Sequence, residues 1–167
     1  MDTNEAPVKP RLRGVSHEVS FYLSLIVGTI VAVTAPSAAY PELLVYLVCM
    51  AALFGVSALF HRRTWSPDAR RIMRRLDHST IFLAIAGTCT AVAGLMLTNP
   101  LRFWVLSLVW TGAVVGIVTK VFWIDAPKWV SAVAYVVVGW VAVIAVPQLW
   151  DALGPGGFFL LLAGGLF

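Results

Sequence analysis

Apolar residues in this chain are concentrated in six runs that polar residues scarcely interrupt. A helix that spans a membrane needs about 20 apolar residues at a rise of about 1.5 Å per residue. Five of the runs are long enough, and a β-barrel would instead show alternating segments of about ten residues. The pattern therefore predicts an all-α fold, a polytopic transmembrane helical bundle. The runs cover residues 19–39, 43–60, 78–98, 101–122, 129–150 and 158–167.

Proline and glycine separate the runs, because Pro lacks an N–H donor and Gly tolerates the backbone conformation of helix ends. The sixth run stops at residue 167, and it could reach only about 15 Å into a hydrocarbon core of about 30 Å. An end in lipid would leave unpaired carbonyls, so we expect a truncated chain; a re-entrant or interfacial end is the alternative. We divide the chain into a cytoplasmic tail, 1–18, and an incomplete transmembrane domain, 19–167. The breaks contain Pro36, Pro41, Pro67, Pro100, Pro127 and the segment 154–157.

The composition also favours a lipid environment. Hydrophobic residues make up 60% of the 167 residues and charged residues 12%, whereas a soluble domain has about 25% charged residues. A soluble domain of this size has too little interior to hide so much apolar surface. The net charge of +4 does not indicate nucleic acid, because the basic residues lie in short loops between the runs. Cys49 and Cys89 lie inside apolar runs, and we interpret them as small buried hydrophobic side chains.

Lysine and arginine are distributed unequally between the two sides of the predicted bundle. Arg102 alone lies on one side, and the other eleven lie before the first run, in the loop after the second run or at the flanks of the loop after the fourth. Basic loops face the cytoplasm in membrane proteins, so we predict a cytoplasmic N-terminus. The eleven residues are Lys9, Arg11, Arg13, Arg62, Arg63, Arg70, Arg71, Arg74, Arg75, Lys120 and Lys128.

Ionisable residues in spanning helices are costly, and they are therefore candidates for function. Five of them lie at the predicted cytoplasmic ends of the first three runs. The alternative is that they are interfacial residues that contact lipid headgroups, and this alternative is favoured for the first two. The five residues are His17, Glu18, His61, Asp77 and His78.

His61 and Asp77 have the stronger case. His61 closes the second helix and Asp77 is expected to open the third, so antiparallel helices would bring them to the same depth. Ser57 lies one turn before His61 on the same helix face. A neutral imidazole beside a carboxylate can bind Zn²⁺, with the acid ligating directly or through water. The alternative is that Asp77 caps the N-terminus of the third helix.

Several motifs together resemble the hemolysin III family, the bacterial branch of the progestin and adipoQ receptor family. They include the segments Ser57 to His61, Arg75 to Phe82 and Ala86 to Thr88, and the similarity extends over nearly everything from about Arg11 onward. The resemblance implies a fold of seven helices, of which about five and a half are present in this chain. Further similar stretches are residues 122–127 and 162–165.

The resemblance also implies a zinc ion near the cytoplasmic face. In the family, the His of a Ser-x-x-x-His motif and two His of a His-x-x-x-His motif on the seventh helix hold the metal. The Asp of the third helix contacts it, commonly through water. This pattern assigns His61 as a metal ligand, Asp77 as the acid that holds the water in catalysis, and Ser57 as a supporting polar group. The seventh helix and its two His are absent from these 167 residues.

Three functions remain open at this point. The first is a membrane protein linked to cytolysis or to membrane and lipid homeostasis. The second is a zinc-dependent intramembrane hydrolase of lipid amide or ester bonds, and the third is a receptor or sensor with structural zinc. In each case we expect zinc as the cofactor of the complete family site, which is incomplete in this chain. We also expect membrane lipids and no nucleic acid as partners, and a multi-pass location in the bacterial inner membrane. No amphipathic pore-lining stripe is visible, so haemolysis does not follow from the residues themselves.

Overall fold

The computed structural model describes residues 14–165. Within that range the chain is helical without strands, and five helical segments are long and apolar enough to cross a membrane. The predicted all-α helical bundle is therefore confirmed. Most of the predicted tail, 1–18, and the last two residues of the sixth run lie outside the described residues. The helices are α1 Val15–Thr34, α2 Tyr40–Arg62, α3 Pro67–Met96, α4 Leu101–Phe122, α5 Lys128–Trp140 and α6 Val146–Gly165.

α3 begins earlier than the apolar pattern predicts. The prediction that Asp77 opens this helix is wrong, because α3 starts at Pro67 and Asp77 lies about three turns inside it. The N-cap is Ser66, whose side chain accepts a hydrogen bond from the Ala69 N–H at 3.4 Å. This finding also removes the capping role considered for Asp77. The added turns are rich in Arg, which forms helices nearly as well as Ala, so a search for apolar runs alone overlooks them.

The fifth apolar run, predicted as one helix, is divided in two. α5 ends at Trp140, and a 3₁₀ segment, Val141–Ala145, joins it to α6. Pro147 explains the division, since it has no N–H to donate to the Val143 carbonyl. That carbonyl instead accepts from the Val146 N–H, which is the tighter bonding pattern of a 3₁₀ turn.

The break predicted at residues 154–157 is present as a kink within α6. Gly154 has φ 63° and ψ 175°, a left-handed φ that a residue without a Cβ adopts at little cost. Pro155 follows at once and the helix resumes. The last helical stretch therefore starts earlier than the predicted residue 158.

α3 is the central helix, packed against α2 on one side and α4 on the other, while α1 packs against α2. Glycines allow these close approaches. A Cβ built on Gly87 of α3 would lie 2.6 Å from the Cβ of Cys49 on α2, and one built on Gly116 of α4 would lie 2.3 Å from the Phe82 ring on α3. Cys49 is buried, and both it and Cys89 are free thiols.

The helix ends that carry most of the basic residues lie together. Arg62 is in the last turn of α2, the Arg-rich turns begin α3, and Lys120 is in the last turn of α4. We call this end the basic end of the bundle. Arg102 lies at the opposite end, where it donates to the Gly94 carbonyl at 3.1 Å and approaches Glu42 Oε1 at 3.9 Å.

We predict that the basic end faces the cytoplasm, because positively charged loops are retained there during insertion. Reporter fusions placed after Arg71 and after Pro100 should report opposite compartments, the first cytoplasmic and the second extracytoplasmic. Paired phosphatase and fluorescent-protein activities measure this. The reverse pattern would contradict the orientation.

The contact between Gly116 and Phe82 gives a prediction about stability. Phe82 is 1% exposed, and its ring also packs on Tyr135 with centroids 4.5 Å apart, so it has little room to move. Gly116→Ala should therefore destabilise the bundle by about 1–3 kcal/mol through overpacking. Gly139→Ala is the matched control, since nothing lies within 4 Å of its added Cβ. Thermal unfolding in detergent should separate the two variants; equal midpoints would contradict the predicted packing.

Candidate metal centre

His61 and Asp77 lie side by side between α2 and α3. His61 is in the last turn of α2, and Asp77 comes from the interior of α3. The distance from His61 Nε2 to Asp77 Oδ2 is 3.9 Å, and the two side chains keep only 25% and 15% of their exposure. This gap is too long for a direct hydrogen bond but can accommodate one bridging atom. Two side chains of types that bind metals therefore lie close together at a site that is largely shielded from solvent.

Ser57 and Gly14 surround His61 from its own helix and from the start of α1. Ser57 is 3% exposed and lies one turn before His61 on α2. Gly14 has φ 82°, and a Cβ added to it would lie 2.7 Å from the His61 Cβ. Only a glycine fits this approach without strain. The backbone that enters α1 thus closes over the His61 side of the pair.

His17 and Glu18 lie in the first turns of α1, and each contacts a residue of α2. Glu18 Oε2 pairs with Arg62 Nε at 2.8 Å, a partly exposed ion pair of the kind that contributes about 0–1 kcal/mol. The His17 ring meets the Phe54 ring edge-on, with centroids 5.9 Å apart. Within the described part of the chain, His17 Nδ1 is buried without a hydrogen-bond partner.

His78 links α3 to α5. It follows Asp77 directly, so its side chain leaves the helix about 100° further round. Its backbone carbonyl accepts a hydrogen bond from the Tyr135 hydroxyl at 3.3 Å. Asp77 therefore contacts α2, whereas the carbonyl of the next residue contacts α5.

A second polar group, which we call the Lys120 cluster, consists of Lys120, Ser131, Arg74 and Asp125. Lys120 Nζ on α4 donates to Ser131 Oγ on α5, and Arg74 on α3 pairs with Asp125 in the α4–α5 loop. Sequence reasoning used these basic residues only to orient the chain and missed the cluster. The available signal was the position of Lys120 inside the fourth apolar run, where a charged group is costly.

The described donors account for part of a zinc site. Zn–N and Zn–O bonds of about 2.0–2.2 Å would hold tetrahedral His and Asp donor atoms about 3.4 Å apart, so the observed 3.9 Å requires only a small adjustment. Between residues 14 and 165, however, no group of three or more His, Cys, Asp or Glu side chains could hold a metal ion. The pair has the right donor chemistry and lacks the remaining donors of a four-coordinate site.

Comparison with known proteins gives consistent matches. A family model described as haemolysin-III related matches residues 6–167. Hemolysin-3 of Bacillus cereus is 38% identical over 122 residues, which are 73% of this chain and 55% of that protein. A Hemolysin-3 homolog of Bacillus subtilis (strain 168) is 37% identical over 122 residues, 73% of this chain and 57% of that protein. These matches span little more than half the length of either relative. No solved structure matches the chain significantly.

Proposed function

Because the chain belongs to the haemolysin-III related family, we propose that it acts on the membrane in which it resides, in cytolysis or in lipid homeostasis. We further propose that His61 and Asp77 contribute to a zinc site at the cytoplasmic face of the bacterial inner membrane. The observation that carries this proposal is the shielded pair of His61 and Asp77, 3.9 Å apart. An ionisable pair at a membrane-spanning bundle end is costly, and such pairs usually mark functional sites.

In the proposed site, His61 ligates zinc through Nε2 and Asp77 contacts it directly or through water. Ser57, buried one turn from His61, supports the imidazole. The remaining donors are proposed to be the two His of the His-x-x-x-His motif that the family carries on its seventh helix. The chain spans little more than half the length of the two Bacillus relatives. The activity of a complete protein is therefore also a proposal.

A second candidate is a zinc-dependent hydrolase of lipid amide or ester bonds. It is favoured by the position of Asp77 inside α3, where the carboxylate serves no helix cap, since Ser66 has that role. The chemistry that bound zinc supplies in such sites is a water with a pKa of about 7. Asp77 would orient that water through its Oδ2 atom and accept its proton. Asp77 is then a catalytic residue rather than a structural one.

Zinc content gives the first test. A full-length relative should contain close to one zinc per chain. A variant of that relative with Ala at the position equivalent to His61 should lose most of the zinc. The 167-residue chain should contain little zinc. The physical reason is that one imidazole and one carboxylate cannot close a tetrahedral shell. Elemental analysis of the purified proteins measures this. Stoichiometric zinc in the 167-residue chain would show that other residues, such as His17 or His78, complete the site.

Replacing Asp77 separates the hydrolase from the other functions. In a full-length relative, the Asp77→Asn equivalent should fold and keep most of its zinc, because Asn preserves the shape of the side chain. The substitution should abolish activity, because an amide cannot accept the proton of the water. Lipid analysis of cells that carry the intact gene, the variant or no gene measures the effect. Identical lipid profiles for the intact gene and the variant would exclude the catalytic role of Asp77.

A further inference from the structure

Lys120 is a buried cation that has no acidic partner among residues 14–165. It is 3% exposed, and its ammonium donates to the Ser131 hydroxyl. Among the ion pairs formed by residues 14–165, none includes Lys120, so no carboxylate of these residues lies within 4.0 Å of its Nζ. A hydroxyl accepts a hydrogen bond but does not neutralise charge. A buried ammonium without a counter-ion is costly, so the site has an unmet requirement for an anion.

Arg74 adds a second positive charge to the same place. Arg74 on α3 pairs with Asp125, which lies in the α4–α5 loop five positions after Lys120. Arg74 Nε is buried and, in the part of the chain that the structure describes, has no hydrogen-bond partner. The guanidinium therefore keeps an unused N–H donor. Two cations and a hydroxyl consequently border one junction between α3, α4 and α5.

Asp125 is the only carboxylate that pairs with this junction among the described residues. It pairs with Arg74, but its side chain is 80% exposed and that of Arg74 is 39% exposed. Ion pairs this open to solvent are weak, because water competes for both partners. Asp125 can therefore be displaced from Arg74 by an anion that also reaches Lys120.

We propose that Lys120 and Arg74 form a binding site for a phosphate group, with Ser131 as a neutral partner and Asp125 as an internal competitor. Arg and Lys bind phosphate through charge-assisted hydrogen bonds, and a phosphate can accept from both at once. The group is either the headgroup phosphate of an anionic lipid or a free phosphate. The basic end of the bundle is where headgroups attract clustered Lys and Arg. The site is separate from His61 and does not depend on the proposed zinc.

A simpler role for Lys120 must be distinguished from this one. Lys120 lies in the last turn of α4, where a cation is stabilised by the helix dipole. That role explains a basic residue at this position, but it involves neither Arg74 nor Asp125. Replacing Asp125 therefore affects phosphate binding only if the proposed site exists.

The test uses the 167-residue chain in phosphatidylcholine nanodiscs, titrated with short-chain phosphatidylglycerol in one arm and inorganic phosphate in the other. Binding is measured by the shift of the thermal unfolding midpoint and, for the lipid, by native mass spectrometry. Lys120→Gln should weaken binding by roughly ten-fold, since it removes one charge-assisted hydrogen bond. Lys120→Arg should retain binding. Arg71→Gln, at a position 68% exposed, removes the same charge from the surface and should have little effect.

Asp125→Asn should tighten binding several-fold, because it removes the competitor from Arg74. Its matched control is Asp68→Asn, which changes the net charge equally at a position 88% exposed and paired with Arg71. This comparison decides the question even if Lys120→Gln fails to fold. If only phosphatidylglycerol saturates the site, the bound group is a lipid headgroup. If inorganic phosphate binds as well as phosphatidylglycerol, the bound group is a free phosphate. Absence of binding in both arms, or equal effects of Asp125→Asn and Asp68→Asn, would overturn the proposal.

Discussion

Close packing of α3 between α2 and α4 is the contact on which the rest of the bundle depends. Lipid tails are as apolar as the helix surfaces, so helices in a membrane associate through van der Waals contact and hydrogen bonds rather than through exclusion of water. Such contact requires backbones to approach closely. Gly87 permits the approach to Cys49 on one side of α3, and Gly116 receives the Phe82 ring on the other. Loss of either fit would loosen the packing of α3 on the helix concerned.

The same packing fixes the rotation of α3 and thereby separates two polar sites at one end of the bundle. Asp77 is directed toward His61 on α2, whereas Arg74 reaches the α4–α5 loop at Asp125. Tyr135 holds α5 against α3 through the His78 carbonyl and through a tilted ring contact with Phe82. One helix therefore contributes a carboxylate to the junction with α2, where we propose a metal site, and a cation to the junction with α4 and α5, where we propose a phosphate site.

The sequence predicted what local pattern and composition determine, and it missed what depends on distant contacts. Apolar runs located the spanning helices, and Gly154 with Pro155 marked the kink in α6. The start of α3 was misplaced because its first turns are polar, although Ser66 and Pro67 are ordinary signals of a helix start. The 3.9 Å approach of His61 to Asp77 agrees with the predicted equal depth of the two residues, although Asp77 lies inside α3 and not at its start. The contact between His78 and Tyr135, 57 positions apart, follows from no local pattern.

The length of α3 has a consequence for the environment of the His61–Asp77 pair. Its 30 residues extend about 45 Å, roughly 15 Å more than the hydrocarbon core of a bilayer. The Arg-rich turns cannot be accommodated in hydrocarbon, so the excess projects from that end, and it is about as long as the stretch from Pro67 to Asp77. If α3 crosses the bilayer without tilt, Asp77 is expected where headgroups give way to acyl chains. Hydration of the pair is then governed partly by hydrophobic mismatch: a thicker bilayer immerses it and a thinner one opens it to water.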